Sequence, residues 1–211
     1  IVAIFLGNSH LMAQTSNLPT QTVCVGVTEP YTLVDPSTGP PTANYSYQWS
    51  ITGGGTFIGG ISTGITININ WTTVGVYTVT VVATDNITGC EDSPIDVVVT
   101  VEDNANAPIA PNPGAICLGD NNPQMTASTD PSGNGSGVFN WYADATLTTL
   151  LATAPTYTDI TPLNSPTYPT PGTYDYWVTE ESANNCEGPA TMVTVTVTGL
   201  PGNPTLSNTP Y

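Results

Sequence analysis

The chain has neither lysine nor arginine, and its single histidine is His10. Against sixteen aspartates and glutamates this leaves a net charge of −16 at neutral pH. Nucleic acids and anionic lipid surfaces are excluded as partners, because binding them needs cations that release counterions from phosphates. Cationic partners, Ca2+ among them, are attracted instead, although the plainer consequence of the charge is solubility of an extended surface protein. Trypsin-like proteases find no cleavage site, which suits exposure outside a cell. Nucleophilic catalysis is short of parts as well: a serine or threonine hydroxyl needs a base, and His10 lies in the first fourteen residues with no lysine to replace it. The adjacent carboxylates Glu91 with Asp92 and Glu180 with Glu181 fall near expected strand ends and turns with no sign of a cleft for glycosidase work. The chain is read as no enzyme and as requiring no cofactor.

Long apolar runs are scarce too. The first fourteen residues, IVAIFLGNSHLMAQ, have the character of the apolar core and cleavage end of a secretory signal without its basic start. Residues 1–6 are too few to span a membrane, and no transmembrane span is expected elsewhere. Three readings stay open for this segment: a signal remnant, a strand folded back on the first module, or a strand donated to a neighbouring copy to build a filament.

Cysteine is limited to positions 24, 90, 117 and 186, with no CxxC spacing that would point to zinc. What is plentiful is turn and strand chemistry: twenty glycines and twenty prolines accompany runs of threonine and valine. One pattern occurs twice, as a cysteine, a tryptophan about 25 residues on, a GxY motif, a second cysteine and an alternating strand. The landmarks are Cys24, Trp49, Gly75 with Tyr77, and Cys90, then Cys117, Trp141, Gly172 with Tyr174, and Cys186. The repeat selects Cys24 with Cys90 and Cys117 with Cys186 as disulfides, which implies an oxidising compartment.

Alternation is clean where Tyr45, Tyr47, Trp49 and Ile51 are spaced by polar residues, and again through Ile65, Ile67, Ile69 and Trp71. Turns are expected at residues 53–55, 85–89 and 130–137. About seven short strands per copy predict an all-β fold of tandem immunoglobulin-like (PKD-like) β-sandwiches with Greek-key connections. The expected boundaries are an apolar segment at 1–14, a first sandwich at 15–102, a semi-rigid proline-bearing linker at 103–114 and a second sandwich at 115–198. Residues 199–211 repeat the character of the linker and read as the start of a further module or another linker.

YQWS, GVYTVTV with the following TD, and the paired cysteines resemble the PKD-type and Ig-like repeats of large secreted surface proteins of gliding and related bacteria. The resemblance covers about residues 20–198; TEES stands in the second copy where TD stands in the first, so only an Ig-like sandwich is implied there. It implies an extracellular stalk or adhesin, with neighbouring copies, adjacent modules or surface glycans as partners. The alternative is a carbohydrate-binding accessory region of a secreted polysaccharide-degrading protein.

Trp49 and Trp141 lie on the apolar phase of central strands and are expected in the cores, while Trp71 and Trp177 are the better candidates for exposure. Tyr77 and Tyr174 are expected to form tyrosine corners. Glu102, Asp103 and Asn104, with Asp120, have the oxygen-rich character of a calcium-stiffened linker; a merely solvated acidic linker is the rival reading.

Overall fold

The computed structural model describes residues 3–6, 20–34, 44–159 and 167–203. Within them the chain is all-β, in two units, Ile1–Asp103 and Asn104–Tyr211. His10 and residues 7–14 of the apolar segment lie outside the described residues.

The first unit contains β1 (Ala3–Leu6), β2 (Thr20–Cys24), β3 (Thr28–Val34), β4 (Tyr45–Ile51), β5 (Gly55–Phe57), β6 (Thr66–Trp71), β7 (Gly75–Asp85) and β8 (Ile95–Glu102). One sheet has the order β1-β3-β6-β5 and the other β2-β8-β7-β4, with β2 parallel to β8. Because strand side chains alternate between faces, each strand sends every second residue inward. Tyr47 and Trp49, Val79 and Val81, and Val97, Val99 and Val101 meet Tyr31, Ile67, Ile69 and Trp71 in one core. Each fully buried aliphatic or aromatic side chain there contributes roughly 1.5–3 kcal/mol.

Trp71 departs from expectation. It is completely buried, its Nε1 donates to the Tyr31 hydroxyl at 3.1 Å, and its ring stacks on Tyr77 at 5.9 Å. The reason is strand phase, since Trp71 shares the inward side of β6 with Ile67 and Ile69. Residues 3–6 form an antiparallel edge strand on β3 of this same unit, with Ala3 opposite Val34 and Leu6 opposite Tyr31.

The second unit contains β9 (Ile116–Cys117), β10 (Met125–Thr126), β11 (Gly135–Tyr142), β12 (Leu150–Thr153), β13 (Thr156–Tyr157), β14 (Gly172–Ser182) and β15 (Thr191–Thr198). A five-stranded sheet, β12-β11-β14-β15-β9, packs on the pair β10-β13, and Trp141, Met125, Phe139, Tyr176, Val178, Val193, Val195 and Val197 fill the core. Residues expected as a linker take part in this unit from Asn104 onward. Thr191 Oγ1 donates to the Pro108 carbonyl at 2.6 Å, the Thr194 amide donates to Asn112 Oδ1 at 2.8 Å, and Ile109 bridges to Ser128. These bonds cover backbone that a bare sheet edge would leave unpaired.

The two units repeat in detail. Trp49 Nε1 donates to the Gly64 carbonyl at 2.8 Å, and Trp141 Nε1 donates to the Ala154 carbonyl at 3.0 Å, each acceptor lying two residues ahead of the next strand. Tyr77 donates to the Val74 carbonyl at 3.1 Å and Tyr174 to the Thr170 carbonyl at 2.9 Å, so both tyrosines tie a strand to the loop before it.

The cysteines do not pair as the repeat suggested. Cys90 and Cys117 carry free, exposed thiols, while Cys24 and Cys186 are each disulfide-bonded. Strand direction explains why. Cys24 lies opposite Glu102 at the end of β8, whereas Cys90 lies in the turn that leads into the start of β8. Cys117 likewise lies opposite Thr198 at the end of β15, and Cys186 lies ahead of its start. A strand of eight residues separates the two thiols of each module by roughly 25 Å, far beyond the ~6 Å between the Cα atoms of a disulfide.

Candidate interaction face

Side chains that the cores do not use converge most clearly on the outer face of the five-stranded sheet. On β14, Tyr176 and Val178 point into the core, so Asp175, Trp177, Thr179 and Glu181 occupy the opposite face. Register places Trp177 between Tyr142 on β11 and Met192 on β15, and Tyr142 stands opposite Leu150 on β12. Leu150 and Met192 are 55% and 54% exposed, Trp177 is half-buried and Tyr142 is buried, giving an apolar row across four strands.

A polar row runs beside it. Thr153 Oγ1 donates to Asn140 Oδ1 at 2.8 Å, and Asn140 Nδ2 donates to Glu181 Oε1 at 2.8 Å. The Tyr142 hydroxyl donates to Glu187 Oε1 at 2.7 Å, and Thr179 Oγ1 donates to the same oxygen. Burial and the Glu187 carboxylate push the Tyr142 hydroxyl up to about 12. Asp175 accepts from Thr194 Oγ1 at 2.7 Å on the far side of Trp177. Of the two tryptophans expected to be exposed, only Trp177 is at the surface, in a setting of carboxylates, an amide and hydroxyls.

The adjacent carboxylates do not work as pairs. Glu180 points into the core and Glu181 outward, because neighbours on a strand face opposite ways. Glu180 is fully buried and accepts from Thr129 Oγ1 at 2.5 Å and from the Gly137 amide at 2.8 Å. Glu91 and Asp92 are exposed beside a turn, where Asp92 Oδ1 accepts the Ser93 amide at 2.7 Å. At the expected calcium cluster, Glu102 ends β8, Asp103 is exposed, Asn104 is half-buried, and Asp120 Oδ2 accepts the Cys117 amide at 2.9 Å. Among the described residues no three side chains of His, Cys, Asp and Glu gather as a metal cage. The calcium expectation thus rests on local composition alone.

Three polar clusters were not anticipated from sequence. Asp159 is buried and accepts from the Tyr176 hydroxyl and, at 3.2 Å, from Tyr157, while Tyr168 and Tyr176 share a 3.1 Å contact between hydroxyls. Burial and these partners raise the ionisation of Tyr157, Tyr168 and Tyr176 above the usual tyrosine range. Asp144 holds the loop between β11 and β12 by accepting the amides of Thr146, Thr148 and Thr149, which with the threonine hydroxyls pull its carboxyl well below the usual range. The third cluster surrounds Glu180. A phase count from Tyr176 through Val178 points to its burial, and aspartate followed by several threonines is the signal for the Asp144 loop.

Residues 106–199 match the family described as Ig-like domain CHU_C associated. The second unit is similar to that family, and its fold is an Ig-like β-sandwich. Solved structures similar to the chain include fibronectin(III)-like modules of Clostridium thermocellum CbhA, 15% identical over 98% of this chain and 100% of that one, with a TM-score of 0.43. The C-terminal 282-residue fragment of intimin, in complex with the intimin-binding domain of its translocated receptor, is 15% identical over 92% of this chain and 63% of that one, with a TM-score of 0.41. Bacteroides ovatus SGBP-B of the mixed-linkage glucan utilization locus, in complex with a mixed-linkage heptasaccharide, is 14% identical over 92% of this chain and 47% of that one, with a TM-score of 0.34. This chain therefore spans less than two thirds of the latter two. No characterised protein sequence matches it. No helix among the described residues is long and apolar enough to cross a membrane.

Proposed function

We propose that the chain is part of an extracellular structural and adhesive surface protein, a stalk of tandem Ig-like modules of the PKD-bearing kind found in secreted bacterial adhesins. The observation that carries this reading is the repeated unit: two all-β modules with separate cores, the same indole and tyrosine-corner ties, and polar clusters that serve to hold strands rather than to line a cleft. A disulfide and the complete lack of lysine and arginine fit a protein exposed to oxidants and proteases outside the cell. Antibody to the chain should label intact, unpermeabilised cells, and the purified chain should resist trypsin but not a protease of broad specificity. Labelling only after permeabilisation contradicts the reading.

The second reading, a carbohydrate-binding accessory module without catalysis of its own, draws on the half-buried Trp177 among Asn140, Thr179 and Glu181 on an open sheet face. Stacking of a sugar on the indole with hydrogen bonds from its neighbours is the chemistry it requires. Retardation in gels containing neutral polysaccharide, lost in Trp177→Ala, supports it; unchanged mobility across such a panel removes it.

A further inference from the structure

The buried Asp159 cluster belongs to a line of aromatic rings that runs through the second unit. Trp141 is fully buried, and its indole stacks on Tyr157 with ring centroids 5.9 Å apart. Tyr157 meets the buried Tyr176 edge-on, again at 5.9 Å, and the Tyr176 hydroxyl lies 3.1 Å from that of Tyr168. The Tyr168 ring is in turn 4.2 Å from that of Tyr174, the half-buried tyrosine corner at which the line reaches the surface. Strand phase builds part of it, because Tyr174 and Tyr176 are two residues apart on β14 and share a face. What separates the line from ordinary core packing is the carboxylate inside it. Tyr176 donates its hydroxyl to Asp159 Oδ2 and Tyr157 donates to Oδ1 at 3.2 Å, so two neighbouring rings share one buried proton acceptor. The first unit has a comparable line without one: Trp71 lies between Tyr31 and Tyr77, and the Tyr31 hydroxyl donates at 2.8 Å to Gln21 Oε1, an amide oxygen.

We propose that the second unit carries a proton-coupled electron relay, in which the line from Trp141 to Tyr174 moves oxidising equivalents out of the core with Asp159 as its proton acceptor. The relay starts when a one-electron oxidant, a peroxyl or hydroxyl radical for example, takes an electron from Trp141 and leaves an indole radical cation. The indole Nε1 proton faces only the Ala154 carbonyl, a poor base. An electron then passes from Tyr176 by way of the Tyr157 ring and restores the indole. Burial holds Tyr157, Tyr168 and Tyr176 protonated, so a tyrosine that is oxidised here has to give up its proton. The Tyr176 proton crosses its hydrogen bond to Asp159, leaving a neutral phenoxyl radical and a protonated carboxyl. Tyr168 passes a hydrogen atom to Tyr176 across the contact between their hydroxyls. Tyr174 then reduces Tyr168 and releases its own proton to water, while the proton on Asp159 returns through Tyr176 to Tyr168. The net change is one electron and one proton lost from Tyr174, with Trp141 and Asp159 as they began. This property belongs to the module and does not depend on what the chain attaches to.

Laser photoionisation of tryptophan in the full chain, followed by transient absorption, tests the relay. A Trp177→Phe background removes the half-buried indole beside Tyr142, which would otherwise add a signal of its own. Part of the indole radical absorption should convert to phenoxyl absorption at a first-order rate independent of protein concentration. That rate should fall in heavy water, because a proton moves with the electron. Asp159→Asn keeps the shape of the acceptor and should slow the conversion roughly 100-fold, the scale on which a positioned proton acceptor acts. Tyr31→Phe, in the line of the first unit, should leave the affected phase unchanged. Peptide mapping after steady illumination should find oxidation at Tyr174 with Trp141 spared, and Tyr176→Phe should reverse the two. Where a variant loses its near-ultraviolet circular dichroism, the isotope effect in the unsubstituted second unit decides. A conversion equally fast in heavy water and in Asp159→Asn would overturn the relay, as would oxidation at Tyr174 undiminished in Tyr176→Phe.

Discussion

Tyr77 shows how much of each module hangs on single side chains. Its hydroxyl bond to the Val74 carbonyl is lost in Tyr77→Phe, as is the Tyr174 bond to Thr170 in Tyr174→Phe, and each substitution should cost about 1 kcal/mol in urea melts. Gly54 is stricter: its φ is +72°, and a Cβ there would sit 2.0 Å from the Tyr77 ring. Gly54→Ala should therefore destabilise by about 2 kcal/mol or more, through backbone strain together with displacement of the ring. The tyrosines also set an alkaline limit. Burial raises Tyr31, Tyr142, Tyr157, Tyr168 and Tyr176, so their contribution to stability is complete below the ordinary tyrosine value of about 10 and falls as pH rises through the folded values. These five should ionise together with loss of the near-ultraviolet circular dichroism; gradual ionisation with the fold retained would contradict their burial. On the acid side, amide and hydroxyl donors lower Asp85, Asp130 and Asp144, so their contribution is present above about pH 4 and fades as pH falls below it.

Among the strands, β1 invites the most direct test. It pairs with β3 in its own unit, so removing residues 1–14 should lower the melting temperature while leaving the oligomeric state unchanged in light scattering. Loss of fibres on that deletion would instead favour donation of the strand between copies. Alternation made most other elements legible: Trp49, Trp141, Ile67 and Ile69 are buried as their phase requires, and the tyrosine corners close as expected. Trp71 obeys the same phase, and regarding it as exposed set residue type above periodicity. β10 and β13 are two residues each and carry too little pattern for a period to register. The prolines of 103–114 resemble a linker because proline removes donors, yet side-chain and bridging bonds from β15 and Ser128 hold this stretch to the second unit.

At the scale of the chain, the repeat was readable because five landmarks recur in one order, and the Ig-like sandwich follows from them. The disulfide was not readable from it. A repeat reports that positions are equivalent, but only strand direction shows that both cysteines of one module lie at opposite ends of its last strand. The interaction face was partly legible through Trp177, whereas its register partners Tyr142 and Met192 come from strands distant in sequence. The central claim is that these modules serve attachment at a cell surface, and competition measures it most directly. Purified chain added at saturation should reduce attachment of cells that carry the parent protein, with chain unfolded by reduction and urea then diluted as the inactive control. Attachment that persists undiminished at saturating folded chain would contradict the adhesive role.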